Sequence, residues 1–193
     1  GNGGCAADGA SQRFHLSEIA SHGYIVIAPG PIASGPGAPA RQAVAPSPTP
    51  RTTTGAPPAP RTTAQQVWAG VEWALAENKR PQSPLYQKID PEKIAVAGFS
   101  CGGLQALELA EKPQVNAVVV QNSGIYNGAA PMGGTTIGKD QLSKLHTPVI
   151  YINGGPTDIA YENGNDDFKR INHVPAIMLN QDFGHGGTYH KPN

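Results

Sequence analysis

The sequence predicts an open, mostly parallel α/β fold, and three observations lead to that class. Apolar residues follow one another without alternation in five short runs, at 24–28, 94–97, 115–120, 149–152 and 176–179. The first four runs are also rich in β-branched residues, and such continuous runs are typical of strands buried on both faces of a parallel sheet. Helical patterns lie between the runs, so strands and helices alternate as in βαβ units.

Five segments carry the helical patterns. The first, 11–21, ends at His22-Gly23, where the glycine is a common C-terminal stop. The second, 62–79, has apolar residues at helical spacing behind threonines that can cap its start. Further helices are predicted at 102–111, 139–145 and 161–172. Because 193 residues fall in the usual range for one domain, we expect residues 1–193 to form a single domain.

Composition excludes several classes of function. Lys plus Arg and Asp plus Glu number 14 each, so no strong field attracts nucleic acid, anionic lipid or a highly charged substrate. A neutral or weakly polar substrate fits better. No apolar stretch approaches the roughly 20 residues that span a bilayer. The two cysteines, Cys5 and Cys101, are too few for a disulfide scaffold and lack the paired spacing of metal ligands, so no metal site is expected.

Residues 31–60 differ from the rest of the chain in composition. Nine of the 19 prolines lie there among Ala, Ser, Thr and Gly, with almost no large apolar side chain. A segment with so little to bury cannot offset its ordering entropy, which predicts an extended surface loop. Because it follows a predicted strand where α/β sheets place their ligands, a rim or lid of the active site is the alternative interpretation.

The strongest chemical signal is the segment 98–103, GFSCGG, between a predicted strand and a predicted helix. A strand that turns at once into a helix holds Ser100 in a strained backbone conformation, which is tolerable when Gly98 and Gly102 lack side chains. The helix N-terminus then presents N–H groups to negative charge that develops during acyl transfer. The motif therefore predicts that Ser100 is a nucleophile, and a glycine-rich turn without chemistry is the alternative.

A nucleophilic serine needs a base to take its proton and an acid to orient that base. Both are expected later in the chain, on loops that follow strands. Asp158 follows the apolar run at 149–152, and His185 follows the run at 176–179. We therefore predict that Asp158 is the acid and His185 the base, with a purely capping role as the alternative for Asp158.

Other residues compete for these roles. Glu162 is the second candidate for the acid, and His190 is the second candidate for the base. Asp182 is so near His185 in the sequence that stabilising the loop is its more natural role. Asp166 and Asp167 lie within a helical pattern and are interpreted as solvated charges.

Two backbone N–H groups are expected to form an oxyanion hole. Cys101, directly after the nucleophile, supplies one, and Gly4 or Cys5 in the glycine-rich segment 1–5 supplies the other. A disordered N-terminal end is the alternative for that segment. The prediction brings Cys5 and Cys101 to one site, so a disulfide between them is a hypothesis, against two free buried thiols.

Four motifs together resemble the α/β-hydrolase superfamily: GNGGC at 1–5, EIASHGY at 18–24, GFSCGG at 98–103 and GHGGTY at 184–189. They are similar in particular to secreted bacterial and fungal esterases of the dienelactone hydrolase, cutinase-like polyester hydrolase and platelet-activating-factor acetylhydrolase kinds. The resemblance implies hydrolysis of small, aromatic or polymeric carboxylic esters through an acyl-enzyme, no cofactor, and export by a signal peptide outside this sequence. Tyr126, Tyr161 and Tyr189 are candidates for lining the substrate pocket.

The chain departs from this resemblance at both ends. Members of the superfamily normally have two or three strands before the loop that supplies the oxyanion donor, and a helix after the catalytic histidine. This sequence starts at the corresponding segment, 1–5, and ends at Asn193, eight residues after His185. A trimmed chain and a fold that lacks the first strands are the two expectations. Two alternative functions remain. One is a binding protein of the same fold whose catalytic residues are inactive, and the other is a peptidase or acyltransferase that uses the same residues.

Overall fold

A parallel sheet forms the centre of the computed structural model, which describes residues 1–39, 61–128, 137–189 and 191. The strands of these described residues are β1 (Ile94–Phe99), β2 (Val115–Gln121), β3 (Val149–Asn153) and β4 (Ala176–Asn180). They pair in the order β1-β2-β3-β4, and every pair is parallel. The predicted α/β class is therefore confirmed.

The helices lie close to their predicted positions. They are α1 (Arg13–Ser21), α2 (Ala64–Lys79), α3 (Cys101–Leu109) and α4 (Tyr161–Arg170), and short 3₁₀ helices cover Gly3–Cys5 and Lys139–Lys144. Thr63 caps α2 because its hydroxyl accepts from the Gln66 N–H while the Gln66 side chain accepts from the Thr63 N–H. The helix predicted at 139–145 is thus a 3₁₀ segment.

One predicted strand is wrong. The apolar run 24–28 forms no strand, and Tyr24, Ile25 and Ile27 are 65%, 45% and 40% exposed. A segment rich in β-branched residues forms a strand only where a neighbouring strand has unpaired backbone N–H and C=O groups to bond with it. In the described structure β1 pairs with β2 on one side, and on its other side the Phe99 N–H donates to the Gly1 carbonyl. The run instead touches α2, where Ile27 lies against Gly70.

The core lies on one face of the sheet. Alternate strand residues on that face, including Val96, Val118 and Tyr151, pack with Leu104 and Leu107 of α3. On the opposite face, the residues of β1 and β4 are open to solvent in the described part of the chain, with Ile177 at 53% and Leu179 at 48% exposure, whereas those of β2 and β3 are half-buried. Burial on both faces is therefore the wrong prediction for β1 and β4.

The carboxyl ends of the four strands meet at one edge of the sheet. Ser100 follows β1, Asn122 follows β2, the loop 154–160 follows β3 and the loop 181–187 follows β4. Parallel strands bring such loops together, so residues far apart in sequence share one site. The prolines at 46–60 and the segment 129–136 are outside the described residues, so the rim or lid interpretation of 31–60 stays a prediction.

Candidate active site

Ser100 lies in a sharp turn between β1 and α3. Its φ of 53° and ψ of −120° are unusual for a residue with a side chain. The turn is held from both sides, because the Ser100 N–H donates to the Gln121 carbonyl and the Ser100 carbonyl accepts from the Gly103 N–H and the Ser123 hydroxyl. A Cβ on Gly98 would lie 2.0 Å from the Gly102 carbonyl oxygen, which explains why the turn needs glycine there.

A line of hydrogen bonds joins Ser100, His185 and Asp158. The Ser100 hydroxyl lies 2.9 Å from Nε2 of His185, and Nδ1 of His185 lies 2.6 Å from Oδ1 of Asp158. A carboxylate only accepts hydrogen bonds, so Nδ1 carries the imidazole proton and Nε2 accepts from the serine hydroxyl. The geometry suits proton transfer from the hydroxyl to the imidazole. These are the residues that the sequence predicted for the three roles.

Four hydrogen bonds reach the buried carboxylate of Asp158. Oδ1 accepts from the Ala160 N–H and from His185, while Oδ2 accepts from the Gly154 N–H and the Asn122 amide. Burial raises the pKa of this carboxyl, but the hydrogen bonds outweigh burial and bring the pKa below its ordinary value. Asp158 is therefore held as the anion, the form that can orient and stabilise an imidazolium.

The segment 3–5 lies beside Ser100 and is tied to α3 by a disulfide. Cys5 and Cys101 are bonded through their sulfurs, so the hypothesis of a disulfide between them agrees with the structure. Gly4 and Cys101 both line the pocket at Ser100. The Cys5 N–H donates to the Asn2 carbonyl at 3.0 Å, which commits that donor to the turn. Of the two candidates for the second oxyanion donor, Gly4 is thus the one that the geometry favours, and Cys5 serves as the anchor.

Polar side chains hold residues 3–5, the predicted oxyanion segment, in place. The buried Asn2 amide donates to the carbonyls of Ala6 and Asp8. The Cys5 carbonyl accepts from the N–H and the hydroxyl of Thr62, and Thr62 in turn accepts from the Gln105 amide of α3. The segment is therefore an ordered part of the site, and a disordered N-terminal end is the wrong interpretation of it.

An apolar cavity of about 190 Å³ opens at Ser100. It is lined by Gly4, Ser100, Cys101, Leu104, Asn122, Ser123, Gly124, Tyr126, Ile159, Ala160, Asn163 and His185. Tyr126 is the one of the three candidate tyrosines that lines this cavity. Tyr161 is the first residue of α4, and the Tyr189 hydroxyl donates to Oδ1 of Asn122. The structure therefore gives no support for substrate contact by Tyr161 or Tyr189, because neither side chain borders the cavity.

The competing carboxylates and histidine occupy other places. Glu162 is exposed at the start of α4, and Asp182 accepts from the Thr157 hydroxyl. Asp166 is partly exposed and pairs with Lys139 and Arg170. Asp167 is fully buried, so its interpretation as a solvated charge is wrong. The 3.6-residue period of α4 turns it inward, toward β3. His190 is outside the described residues.

Sequence reasoning missed Asn122 and Ser123. Both are buried, both line the cavity, and Asn122 bonds directly to Asp158. The available signal was their position directly after β2, at the edge where Ser100 follows β1. Among the described residues, no group of three or more His, Cys, Asp or Glu side chains is arranged to hold a metal ion. None of the described helices combines the length and apolarity that crossing a membrane requires.

Comparison with known proteins supports membership of the α/β-hydrolase superfamily, a class of enzymes, for this chain. A sequence model described as PET hydrolase-like matches residues 49–152, more than half of the chain. The chain therefore belongs to the PET hydrolase-like family. No curated protein matches the sequence significantly.

Similar solved structures have low sequence identity to this chain. Acylaminoacyl peptidase from Pyrococcus horikoshii superposes with a TM-score of 0.51 and 15% identity over 67% of this chain and 24% of that one. A protein of the dienelactone hydrolase kind from Klebsiella pneumoniae gives a TM-score of 0.46 and 16% identity, over 66% of this chain and 52% of that one. The chain thus spans about a quarter of the length of the peptidase.

Proposed function

We propose that this protein is a serine carboxylic ester hydrolase. The observation that carries the proposal is the continuous hydrogen-bonded line from the Ser100 hydroxyl through His185 to Asp158, at the mouth of an apolar cavity. Each neighbour along the line has the form that its role requires: a base nitrogen facing the hydroxyl, and a carboxylate held as the anion. Membership of the PET hydrolase-like family supports ester hydrolysis.

The reaction proceeds in two halves. The Ser100 oxygen attacks the ester carbonyl while Nε2 of His185 takes the hydroxyl proton. The tetrahedral oxyanion accepts hydrogen bonds from the N–H groups of Cys101 and Gly4, and its collapse expels the alcohol, which receives the proton from His185. Water then attacks the acyl-enzyme by the same route, which releases the carboxylic acid and restores Ser100. No step needs a cofactor.

The substrate is a neutral ester with a small or flat acyl group. The cavity of about 190 Å³ is smaller than the pockets of roughly 300–1,000 Å³ that enclose drug-sized ligands. Apolar atoms make up most of its lining surface, and Tyr126 and Ile159 in its lining are exposed, at 42% and 73%. An aromatic acyl group fits this shape, and an open border leaves room for a polymer chain. We therefore expect short-chain and aromatic esters, including polyesters, to be better substrates than long-chain ones.

Function outside the cell is part of the proposal. The disulfide between Cys5 and Cys101 supports it, because disulfides persist in oxidising compartments and are rare in the cytosol.

A fluorophosphonate probe tests the proposal, because it reacts covalently with an activated serine. We expect labelling at Ser100, loss of labelling and of ester hydrolysis in Ser100→Ala, and wild-type behaviour in Ser143→Ala. Ser143 is the matched control because it is exposed, does not line the cavity, and donates its hydroxyl to the nearby Asp140 carbonyl. A folded wild-type protein that is neither labelled nor active would contradict the proposal and favour a binding protein with idle machinery. Faster cleavage of amides than of matched esters would favour a peptidase.

A further inference from the structure

Asn122 joins both loops that carry the predicted acid and base. Its Nδ2 donates to Oδ2 of Asp158 at 2.7 Å and to the carbonyl of Gly184 at 3.0 Å, directly before His185. Its own backbone N–H donates to the Ile152 carbonyl at the end of β3. One side chain thus fixes the loop after β3 and the loop after β4 relative to each other.

The backbone of Asn122 is adapted to this position. Its φ is 44°, in the left-handed region, and asparagine enters that region at lower cost than most residues with a side chain. The side chain is almost fully buried, at 1% exposure. A buried amide is costly unless its groups are paired, and here both Nδ2 donors and the Oδ1 acceptor have partners. The residue is therefore built into the site.

Tyr189 sets the orientation of the Asn122 amide. The Tyr189 hydroxyl donates to Oδ1 of Asn122 at 2.8 Å, which leaves Nδ2 facing the carboxylate. Burial, followed by the charge of Asp158, raises the pKa of Tyr189, so the phenol keeps the proton that it donates. The ring is held between Phe99 and His15, at centroid distances of 5.6 and 5.2 Å. Each donor in this chain of hydrogen bonds therefore faces toward Asp158: the Tyr189 hydroxyl donates to Asn122, and the Asn122 amide donates to the carboxylate.

We propose that Asn122, oriented by Tyr189, is a positioning residue that holds Asp158 and His185 in register for proton transfer. The proposal rests on the proposed hydrolase function, because it assigns Asn122 a role through that acid and base. Asn122 acts on the second carboxylate oxygen, the one that His185 does not use. Its loss should slow the chemical step more than it weakens substrate binding, since small misplacements of catalytic groups cost up to about 100-fold in rate.

Two variants remove the interaction in steps. Tyr189→Phe deletes one hydroxyl, and we expect kcat to fall about 3- to 10-fold with KM within twofold of wild type. Asn122→Gly deletes the amide while it keeps the positive φ free of strain, and we expect kcat to fall about 10- to 100-fold. Tyr86→Phe is the control for the hydroxyl, because the Tyr86 hydroxyl accepts from the Gln87 amide at the surface, away from the cavity.

A third variant gives a signature that a general structural role would not produce. Asn122→Asp keeps the shape but turns a carboxylate toward Asp158, and two facing carboxylates retain a shared proton at low pH. The ratio of its kcat to that of wild type should therefore rise about threefold or more between pH 8 and pH 5.5. Asn116→Asp is the matched control on β2, because Oδ1 of Asn116 accepts from the Ile94 N–H and an aspartate can keep that hydrogen bond. Its ratio should stay constant.

The measurements are steady-state kinetics on a short-chain p-nitrophenyl ester, with thermal melts to establish folding. Wild-type kcat in both folded Tyr189→Phe and folded Asn122→Gly would overturn the positioning role, and so would an Asn122→Asp ratio that does not change with pH. Fluorophosphonate labelling of the wild-type protein separates the two failures. If the wild type is labelled and active but the variants keep wild-type kinetics, this inference alone is refuted. If the wild type is neither labelled nor active, the proposed function is refuted, and this inference with it.

Discussion

The sulfur atoms of Cys5 and Cys101 join the two segments of chain that flank the Ser100 hydroxyl. Cys101 directly follows Ser100, Cys5 directly follows Gly4, and 96 positions separate the two cysteines in sequence. Both side chains are buried, at 1% and 7% exposure. The disulfide therefore links the start of α3 covalently to the predicted oxyanion segment, next to the Ser100 hydroxyl.

Replacement of both cysteines in Cys5→Ser, Cys101→Ser should reduce stability and activity separately. In the chain-entropy model, a disulfide that closes a loop of about 100 residues contributes about 4 to 5 kcal/mol, so the melting temperature should fall. Loss of one oxyanion donor typically costs about 100- to 1,000-fold in kcat, and a displaced Gly4 should cost up to that amount. Kinetics well below the variant's melting temperature measure the second effect. Wild-type kcat in the folded variant would contradict the coupling of the disulfide to the oxyanion segment.

Asp158→Asn should leave the fold intact and abolish most activity. The asparagine amide can occupy the same volume, but it offers His185 a donor where a carboxylate now accepts, which selects the wrong imidazole tautomer. We expect kcat to fall about 1,000- to 10,000-fold with little change in KM. Asp182→Asn is the matched control in the neighbouring loop, because among the described residues Asp182 accepts from the Thr157 hydroxyl and makes no hydrogen bond with His185. Equal activity in the two variants would exclude Asp158 as the orienting acid.

The sequence was informative where local chemistry decides structure. The glycines at 98 and 102 predicted the turn because a Cβ at either position would clash with backbone atoms. The positions of Asp158 and His185 after two successive predicted strands predicted that their loops converge. Features that depend on tertiary contacts were not predicted. The run 24–28 has the composition of a strand but has no neighbouring strand with which to pair. Asp167 is buried because of its position around the axis of α4, whereas its charge led to the prediction that it is exposed. Asn122 gave no motif because its role depends on three partners distant in sequence.

Glycine substitutions test the packing of the turn at Ser100. A Cβ at position 98 would lie 2.0 Å from the carbonyl oxygen and 2.1 Å from the carbonyl carbon of Gly102, and both are backbone atoms that cannot rotate away. Gly98→Ala should therefore cost about 3 kcal/mol or more in unfolding free energy. Gly186→Ala meets no atom within 4 Å and should change stability by less than about 0.5 kcal/mol. Urea denaturation measures both, and equal stability of the two variants would refute the steric account.

Asp167 is a buried carboxyl that links α4 to the wall of the cavity. Its Oδ2 accepts from the Ile125 N–H at 2.7 Å and from the Tyr151 hydroxyl at 3.3 Å, and its Oδ1 pairs with Lys139. Burial raises the pKa of Asp167 from 3.8 to about 6, although Lys139 and the two hydrogen bonds act in the opposite direction. The folded protein therefore binds a proton here more tightly than the unfolded chain does.

Asp167→Asn should remove one component of the pH dependence of stability. Between the unfolded pKa of 3.8 and the folded pKa of about 6, the folded state keeps a proton that the unfolded state has lost, so rising pH destabilises the wild type. Relative to Asp167→Asn, the wild-type unfolding free energy should fall by about 2 kcal/mol from pH 4 to pH 7.

Asp166→Asn is the matched control on the same helix. Ion pairs with Arg170 and Lys139 lower the pKa of Asp166 to about 2, so its titration lies below this range and its difference from wild type should stay nearly constant. Urea denaturation at both pH values gives the differences, and a wild type that gains stability relative to Asp167→Asn as pH rises would reverse the predicted sign and refute the raised pKa.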